Sequence, residues 1–507
     1  MAQVDLEAAQ TRRAARGGLA NLIGAAYSGV ASFVITAVVT RISSTEDAGV
    51  YFSALSVMLI AIALAQIGTP VGYVYFLARY RGLKETHHLR SILSAGALPV
   101  LSVTAVLIVI ALVFHERLGH LLFGENVAEA GKIVVIIAGA VLIAIVAEGS
   151  LAATRGFGVM KPTVVVDKFL NPTVQLLALV LLAAVGWTGS EELVLTRVAG
   201  FAIAALIALP WLLKRLSRFP APAGSPRSAW LPTQGTFREF WKFTGPRAVG
   251  QFAQVGIQRV DIVLVGIWLS PTEAAIYAAA TRFLVFGQLA ARSISLAIQP
   301  QISSLSARGE SRSLQGLYRT STAWIMFATW PFYLTFFVHA KWLMQIFGPA
   351  YAAGALILQI LSAAMLFSTA CGAVDAVLVM AGRSDLTMIN AWAALIANLG
   401  LNIWLIPRLG IVGAALAWIA SILIMNVVPL IQVRVTLGLH PLGRMTMLAG
   451  VATTLLFGVI PWAVSSAGGG LPGAISAVFL AGGAYTVLLW RWRDQLGMKG
   501  LLRRSQP

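Results

Sequence analysis

One feature recurs along the whole sequence: stretches of about twenty apolar residues, separated by short polar segments. About twenty residues is the helix length that crosses roughly 30 Å of hydrocarbon at about 1.5 Å per residue. About fourteen stretches reach this length, roughly 17–40, 48–70, 91–114, 132–154, 162–187, 192–213, 246–269, 273–302, 318–346, 355–381, 386–406, 410–433, 445–466 and 470–490. They predict an all-α polytopic membrane protein with about 14 transmembrane helices.

The composition excludes a soluble protein. Of the 507 residues, 58% are hydrophobic and 11% charged, with a mean hydropathy of +0.83, whereas a soluble domain has about 25% charged residues. A soluble enzyme with one anchor helix is excluded as well, because it would keep a polar majority. The single cysteine, Cys371, allows no intrachain disulfide and no cysteine metal site. The histidines lack metal-ligand spacing, so no metal and no cofactor is predicted.

The net charge of +18 reflects orientation in the membrane. Basic residues concentrate at alternate ends of the spans, with clusters at 12–16, 79–90, 155–161, 214–247, 308–319, 383, 434–444 and 491–504. The opposite ends hold Arg41, Arg117, Lys132, Arg197, Lys341 and Arg408. Because cytoplasmic loops carry the excess of Lys and Arg, both termini are predicted to be cytoplasmic. The charge then suits anionic membrane lipids, and a nucleic-acid partner is not predicted.

A long Pro-rich connection divides the chain. It predicts an N-terminal six-span bundle at 1–213, a cytoplasmic linker at 214–245 and a C-terminal six-span bundle at 246–433, followed by two extra spans and a basic cytoplasmic tail at 434–507. A short repeat supports this division: Thr45–Tyr51 (TEDAGVY) opens the second span of the first half, and Thr272–Tyr277 (TEAAIY) opens that of the second. Transporters are commonly built from such repeated halves.

Three charges are predicted deep in the membrane. By helix rise, Arg259 and Arg282 lie about 15 Å and Asp261 about 12 Å from the outer surface. Each charge near the bilayer centre costs about 2.5 to 3.5 kcal/mol unless it has a partner or a function. Asp261 and Arg282 could form a structural ion pair that joins two spans. That pair leaves one arginine over, and the net positive charge suits a phosphate or pyrophosphate.

Polar side chains accompany these charges. Gln251, Gln254, Gln258 and Asp261 follow helical spacing and predict one hydrogen-bonding face that meets sugar hydroxyls. Milder polar faces, with Asn21, Ser28, Ser32 and Thr36 in the first span and Asn398 and Asn402 in the eleventh, are as consistent with packing between helices. Glu148, Asp167 and Lys168 predict a local charge-paired cluster near the inner ends of spans four and five. Arg292 and Asp375 are predicted near the cytoplasmic interface.

The loops argue against an enzyme. The longest outer loop, His115–Gly131, is too short for a catalytic domain, and the sequence has no Gly-x-x-x-x-Gly-Lys and no His-Glu-x-x-His motif. A membrane glycosyltransferase or polymerase is therefore disfavoured. Transport would be driven by an ion gradient or by the substrate itself.

Several phrases resemble one family. Asp261–Gly266 (DIVLVG) followed by Tyr277–Ala280 (YAAA), and Pro407–Ala415 (PRLGIVGAA), are similar in order and spacing to phrases of bacterial polysaccharide exporters. With Thr45–Tyr51, they make the chain resemble the Wzx-type flippases of the MOP (multidrug, oligosaccharidyl-lipid, polysaccharide) superfamily. The resemblance implies two six-helix bundles arranged in a V, a bacterial plasma membrane location, and Arg282 near a substrate-binding arginine of the related lipid II flippases. The two extra spans look like those of the lipid II flippases.

The sequence thus predicts a flippase that turns a polyprenyl pyrophosphate-linked glycan from the inner to the outer leaflet. Arg259, Arg282 and the glutamines Gln251, Gln254 and Gln258 would bind the substrate. The alternatives are a lipid II flippase and a drug or metabolite exporter coupled to H+ or Na+ through Asp261 and Asp375. The depths of these two carboxylates differ by about 18 Å, so a shared ion site requires a broken helix.

Overall fold

The computed structural model describes residues 2–125, 127, 129–219, 231–468 and 470–494, with side-chain surroundings from residue 21 onward. Most of the Pro-rich segment of the predicted linker (220–230) and most of the predicted basic tail (495–507) lie outside the described residues. The chain divides into two compact units, Met1–Ala275 and Ile276–Pro507. Every regular element of the described residues is helical.

Among its described residues, the first unit contains nine complete helices. They are α1 (Ala2–Ile42), α2 (Thr45–Gln66), α3 (Thr69–Gly82), α4 (His88–Val113), α5 (His115–Phe123), α6 (Ala130–Gly156), α7 (Asn171–Val185), α8 (Ser190–Leu216) and α9 (Gln234–Trp268). A π-helical segment, Thr163–Leu170, leads directly into α7. Helix α10 (Pro271–Ala307) begins in this unit and continues into the next.

The second unit continues in the same all-helical manner. Its helices are α11 (Ser311–Val338), α12 (Ala340–Met344), α13 (Ala355–Ala370), α14 (Val374–Met380), α15 (Ser384–Leu409), α16 (Ile411–Leu437), α17 (Arg444–Thr453), α18 (Ile460–Ser466) and α19 (Gly470–Trp492). A 3-10 turn, Pro349–Gly354, precedes α13, and a π-helical segment, Thr454–Val459, joins α17 to α18.

Thirteen helical segments of the described residues are long and apolar enough to cross a membrane. They coincide with thirteen of the predicted spans, which confirms an all-α polytopic protein with about 14 spans. The remaining predicted span, 246–269, lies in α9, whose apolar character is diluted by Gln251, Gln254, Gln258, Arg259 and Asp261. The division into bundles at 1–213 and 246–433 stays a prediction.

The predicted second span ends earlier than its hydropathy indicates. Helix α2 begins after Ser44, whose Oγ accepts a hydrogen bond from the Asp47 backbone N at 3.0 Å. It ends at Gln66, because Ile67 (φ 46°) and Gly68 (φ 72°) both adopt the left-handed conformation. Pro70 then stands in the first turn of α3, where its missing N–H costs nothing. The prediction of a continuous span 48–70 was wrong here, and the break leaves Gln66 at a helix end.

Two other predicted spans were also too long. The stretch 318–346 corresponds to α11, which ends at Val338, and 355–381 corresponds to α13 and the separate helix α14. Gly372, between α13 and α14, has a φ of 69°, a conformation that glycine adopts at little cost. Hydropathy alone cannot detect such breaks, since the residues on both sides are apolar.

Glycines in the recurring sequence phrases permit close helix packing. A Cβ on Gly49 in α2 would lie 1.7 Å from the carbonyl oxygen of Pro271. A Cβ on Gly266 in α9 would lie 2.8 Å from Ser53 Oγ of α2, and one on Gly413 would lie 2.4 Å from the Leu405 carbonyl oxygen. Helix α9 therefore packs against α2 within the first unit. The phrases that suggested a family resemblance are, in part, contacts that only glycine allows.

Candidate functional site: a charged network within the first unit

Five charged side chains from three helical segments of the first unit are linked by electrostatic interactions and one ion pair. We call them the embedded network: Glu148 and Arg155 of α6, Asp167 and Lys168 of the π-helical segment, and Arg197 of α8. Glu148 and Asp167 both interact electrostatically with Arg155 and with Arg197. With all five ionised, the network carries one more positive than negative charge. All five lie in segments that are long and apolar enough to cross a membrane.

Arg197 is oriented by two amide side chains. Its Nη1 donates to Asn171 Oδ1 at 3.0 Å and to Gln175 Oε1 at 3.3 Å. Gln175 Nε2 in turn donates to the hydroxyl of Tyr51 at 2.7 Å. The guanidinium carbon lies 4.1 Å from the centroid of the Phe201 ring, a cation–π contact. Neutral amide oxygens and an aromatic face therefore orient this guanidinium, which also interacts electrostatically with Glu148 and Asp167.

The two carboxylates of the network, Glu148 and Asp167, each have a different partner. Gln66, at the broken end of α2, donates from Nε2 to Glu148 Oε2 at 2.5 Å. Lys168 Nζ lies 2.7 Å from Asp167 Oδ2, which confirms charge pairing in the predicted local cluster. These two residues are adjacent in sequence within a π-helical segment, and such segments occur frequently at functional sites.

An apolar cavity adjoins Gln66. It has a volume of about 330 Å³ and is lined mainly by aliphatic side chains of α4, α6 and α8, including Leu93, Leu212 and Leu213. Ser150 and Tyr73 supply polar atoms in this lining. A cavity of this kind can accept an aliphatic chain, since apolar surface leaves water or headgroup on entering it.

The predicted site residues of α9 differ in exposure. Gln254 and Gln258 are exposed, Gln251 and Arg259 are partly buried, and Asp261 is buried with 3% of its surface exposed. The two exposed glutamines are four residues apart and therefore share one helix face. Asp261 lies one turn further along, on the packed side.

The predicted site residues of the second unit lie on different helices. Arg282 of α10 is partly buried, and its Nε donates to the Ala278 carbonyl oxygen of its own helix at 3.4 Å. Asp375 is on α14 and is exposed. Because Arg259 and Asp261 belong to the first unit, the predicted meeting of Arg259, Asp261 and Arg282 stays a prediction.

Amides of α15 act in helix packing. Asn390 and Gln432 of α16 exchange two amide hydrogen bonds, at 2.8 and 3.1 Å. Asn398 and Asn402 are fully buried, and Asn402 Nδ2 donates to Asn398 Oδ1 at 3.0 Å. These contacts favour the packing interpretation over sugar binding for the eleventh span. In the first span, Thr36 Oγ1 donates to the Ser32 carbonyl oxygen.

The sequence places Arg197 among the outer span ends and does not reveal its role. Its partners Asn171 and Gln175 lie 26 and 22 residues earlier, so no local pattern connects them to it. The available signal was the spacing of four residues between the two buried amides, which places both on one helix face. In the part of the chain that the structure describes, no three His, Cys, Asp or Glu residues form a metal-binding group.

The sequence matches two family models. One, described as "Polysaccharide biosynthesis protein", matches residues 14–306, and one described as "MatE" matches residues 246–404. A curated relative, the "Probable low-salt glycan biosynthesis flippase Agl15" of Haloferax volcanii, is 23% identical over 229 residues, 45% of this chain and 46% of the relative. The match therefore spans about half the length of that relative.

Solved structures share the fold. A lipid II flippase, MurJ, in an inward closed conformation aligns with a TM-score of 0.71 and 14% identity, covering 94% of this chain and 99% of that chain. An inward-facing multidrug transporter of the MATE family aligns with a TM-score of 0.64 and 12% identity, covering 81% of this chain and 94% of that chain. At these identities the likeness establishes the fold alone.

Proposed function

Because this chain belongs to the polysaccharide biosynthesis protein family of the MOP superfamily, we propose that it flips a polyprenyl pyrophosphate-linked oligosaccharide from the inner to the outer leaflet by alternating access. The product would serve surface polysaccharide export. The Haloferax relative is described as a probable glycan biosynthesis flippase, and this description supports the proposed substrate class. The lipid II flippase of similar fold acts on another lipid-linked glycan.

The observation that carries the proposal is the embedded network around Arg197. A diphosphate headgroup must leave water while it crosses the membrane, and it needs compensating positive charge and hydrogen-bond donors on the way. The network supplies an oriented guanidinium and a net positive charge inside membrane-spanning helices. Guanidinium groups bind phosphate oxygens in a bidentate manner.

Residues of α9 and α10 would complete the path. We assign Arg259 and Arg282 to the pyrophosphate, and Gln251, Gln254 and Gln258 to sugar hydroxyls. The exposure of Gln254 and Gln258 on one helix face supports this role, because amides can both donate to and accept from a hydroxyl. The protein would then act without a cofactor and without catalysis, binding and releasing a substrate that is chemically unchanged.

The proposed location is the bacterial plasma membrane, with both termini in the cytoplasm. The concentration of basic residues at alternate span ends supports this orientation. A lipid II substrate is the nearest variant of the proposal, since lipid II is also a lipid-linked glycan and the two C-terminal spans resemble those of its flippases.

A second candidate is a drug or metabolite exporter coupled to H+ or Na+. The observation that favours it is the set of carboxylates in helical segments: Glu148 beside Gln66, the buried Asp261, and Asp375. The match to the MatE family model over residues 246–404 agrees with it. In this reading Asp261 and Asp375 would bind the coupling ion.

Deletion of the gene separates the two candidates. We expect the deletion strain to lose its surface glycan while its sensitivity to a panel of cationic drugs stays unchanged, because the substrate is a lipid-linked sugar. Surface glycan is measured by lectin binding or by gel analysis of extracted polysaccharide, and re-expression of the wild-type chain is the control. Unchanged glycan with increased drug sensitivity would overturn the proposal in favour of the exporter.

A further inference from the structure

A second cavity lies at the C-terminal end of α8, far from Arg197 of the embedded network. Its volume is about 510 Å³, and its lining includes the apolar side chains of Val159, Ile207 and Trp211 and the basic side chains of Lys214, Arg215 and Arg218. Arg197 and Lys214 are 17 residues apart on α8, about 26 Å along the helix axis. The basic end of the cavity is therefore distant from Arg197, although Val159 of its lining is only four residues beyond Arg155 of the network.

The cavity lining is apolar at one end and basic at the other, and a lipid molecule is likewise apolar along its acyl chains and polar at its headgroup. Ile207, Trp211 and Lys214 of α8 are spaced 4 and 3 residues apart, so they share one helical face, and Arg218 follows two residues beyond the end of the helix. Along that face, apolar side chains come first and basic side chains follow at the end of the span. Ile207 is 37% exposed, so an acyl chain can lie against it. Tryptophan is enriched at the level of lipid headgroups.

Among the described residues, no acidic side chain neutralises the basic residues of this cavity. Its lining includes no acidic residue, and in the described ranges none of Lys214, Arg215 and Arg218 forms an ion pair with a carboxylate. The Arg215 Nε is buried and has no hydrogen-bond acceptor there. Basic residues at this end of α8 also follow from orientation and from the helix dipole. Neither effect requires them to line a cavity with an apolar wall.

We propose that this cavity binds the phosphate headgroup of an anionic glycerophospholipid, with Lys214, Arg215 and Arg218 around the phosphate and one acyl chain along Ile207 and Trp211. Basic pockets between membrane helices on the cytoplasmic side have the chemistry that selects such headgroups. The proposal concerns a bulk membrane lipid and does not depend on the translocated substrate.

Native mass spectrometry of the purified full chain in neutral detergent tests this site, with phosphatidylglycerol as the probe and phosphatidylcholine as the zwitterionic comparison. We expect the variant with Lys214→Gln, Arg215→Gln and Arg218→Gln to bind phosphatidylglycerol at least tenfold more weakly than the wild type. A matched control removes three exposed basic residues elsewhere, by Arg308→Gln, Arg312→Gln and Arg383→Gln, and is expected to keep wild-type affinity.

Several results would overturn the proposal. The first is that the triple variant binds phosphatidylglycerol as tightly as the wild type does. The second is that the control variant loses as much affinity as the triple variant. The third is that the wild type binds phosphatidylcholine as tightly as phosphatidylglycerol. Displacement of phosphatidylglycerol by millimolar inorganic phosphate would assign the site to a free anion, and displacement by equimolar polyprenyl phosphate would assign it to the substrate lipid. Lys214→Gln and Arg218→Gln as single variants, both at exposed positions, provide the same test if the triple variant does not fold.

Discussion

Replacing Arg282 with alanine is expected to reduce export of the surface glycan by about one to two orders of magnitude while the protein remains folded and inserted. Arg282 is 11 residues beyond Pro271, the first residue of α10, which is about 17 Å along the helix and near the middle of a bilayer about 30 Å thick. A charged hydrogen bond is worth about 1.5–3 kcal/mol, so loss of one phosphate contact corresponds to a roughly 10- to 150-fold loss of transport.

Two variants make the Arg282 experiment specific. Arg282→Lys keeps the charge but loses bidentate geometry, so we expect intermediate export. Arg308→Ala removes an arginine that is exposed just beyond the end of the same helix and is expected to export normally. Export is measured as surface glycan per membrane-inserted protein. Normal export by Arg282→Ala would contradict the assignment of this residue to the substrate.

The Gly49→Ala variant is expected to accumulate poorly and to melt at a much lower temperature than the wild type. The added Cβ would lie 1.7 Å from the carbonyl oxygen and 2.2 Å from the carbonyl carbon of Pro271. A backbone carbonyl cannot rotate away as a side chain can, so α2 and the start of α10 must separate. Overpacking costs about 1–3 kcal/mol in ordinary cores and more where the backbone must move.

Gly139→Ala is the matched control for this packing test. Gly139 is also in the interior of a membrane-spanning helix, α6, but a Cβ there would meet nothing within 4 Å. Since alanine favours helix more than glycine does, this variant should be as stable as the wild type or slightly more stable. Both variants are compared by thermal unfolding of purified protein, monitored by size-exclusion chromatography. Equal midpoints for Gly49→Ala and the wild type would contradict the close packing of α2.

The sequence predicted the helices well because a membrane imposes one pattern. A span must be apolar over a fixed length, and the predicted stretch 91–114 lies close to the observed α4, His88–Val113. The prediction from sequence failed where the backbone turns while the side chains on both sides of the turn remain apolar. The left-handed residues Ile67 and Gly68 divide the second predicted span, and no hydropathy value distinguishes them from a continuing helix.

The site was less predictable than the fold. Charge and depth alone identified Arg259, Asp261 and Arg282 as unusual, because charges in a span are costly wherever they lie. The environment of Arg197 depends on amides from another helix, and such pairing across the fold leaves no periodic signal. The same limit applies to Glu148, whose partner Gln66 is 82 residues earlier.

Flipping by the purified chain in liposomes tests the proposed function most directly. Vesicles would carry a fluorescent polyprenyl pyrophosphate-linked oligosaccharide in both leaflets, and a membrane-impermeant reductant added outside would bleach only the label that reaches the outer leaflet. With an H+ or Na+ gradient imposed, we expect the wild-type chain to expose nearly all of the label and Arg282→Ala to expose the inner-leaflet label at least tenfold more slowly. Bleaching by wild-type vesicles that matches protein-free vesicles under both gradients would contradict the proposal that this protein is a lipid-linked glycan flippase.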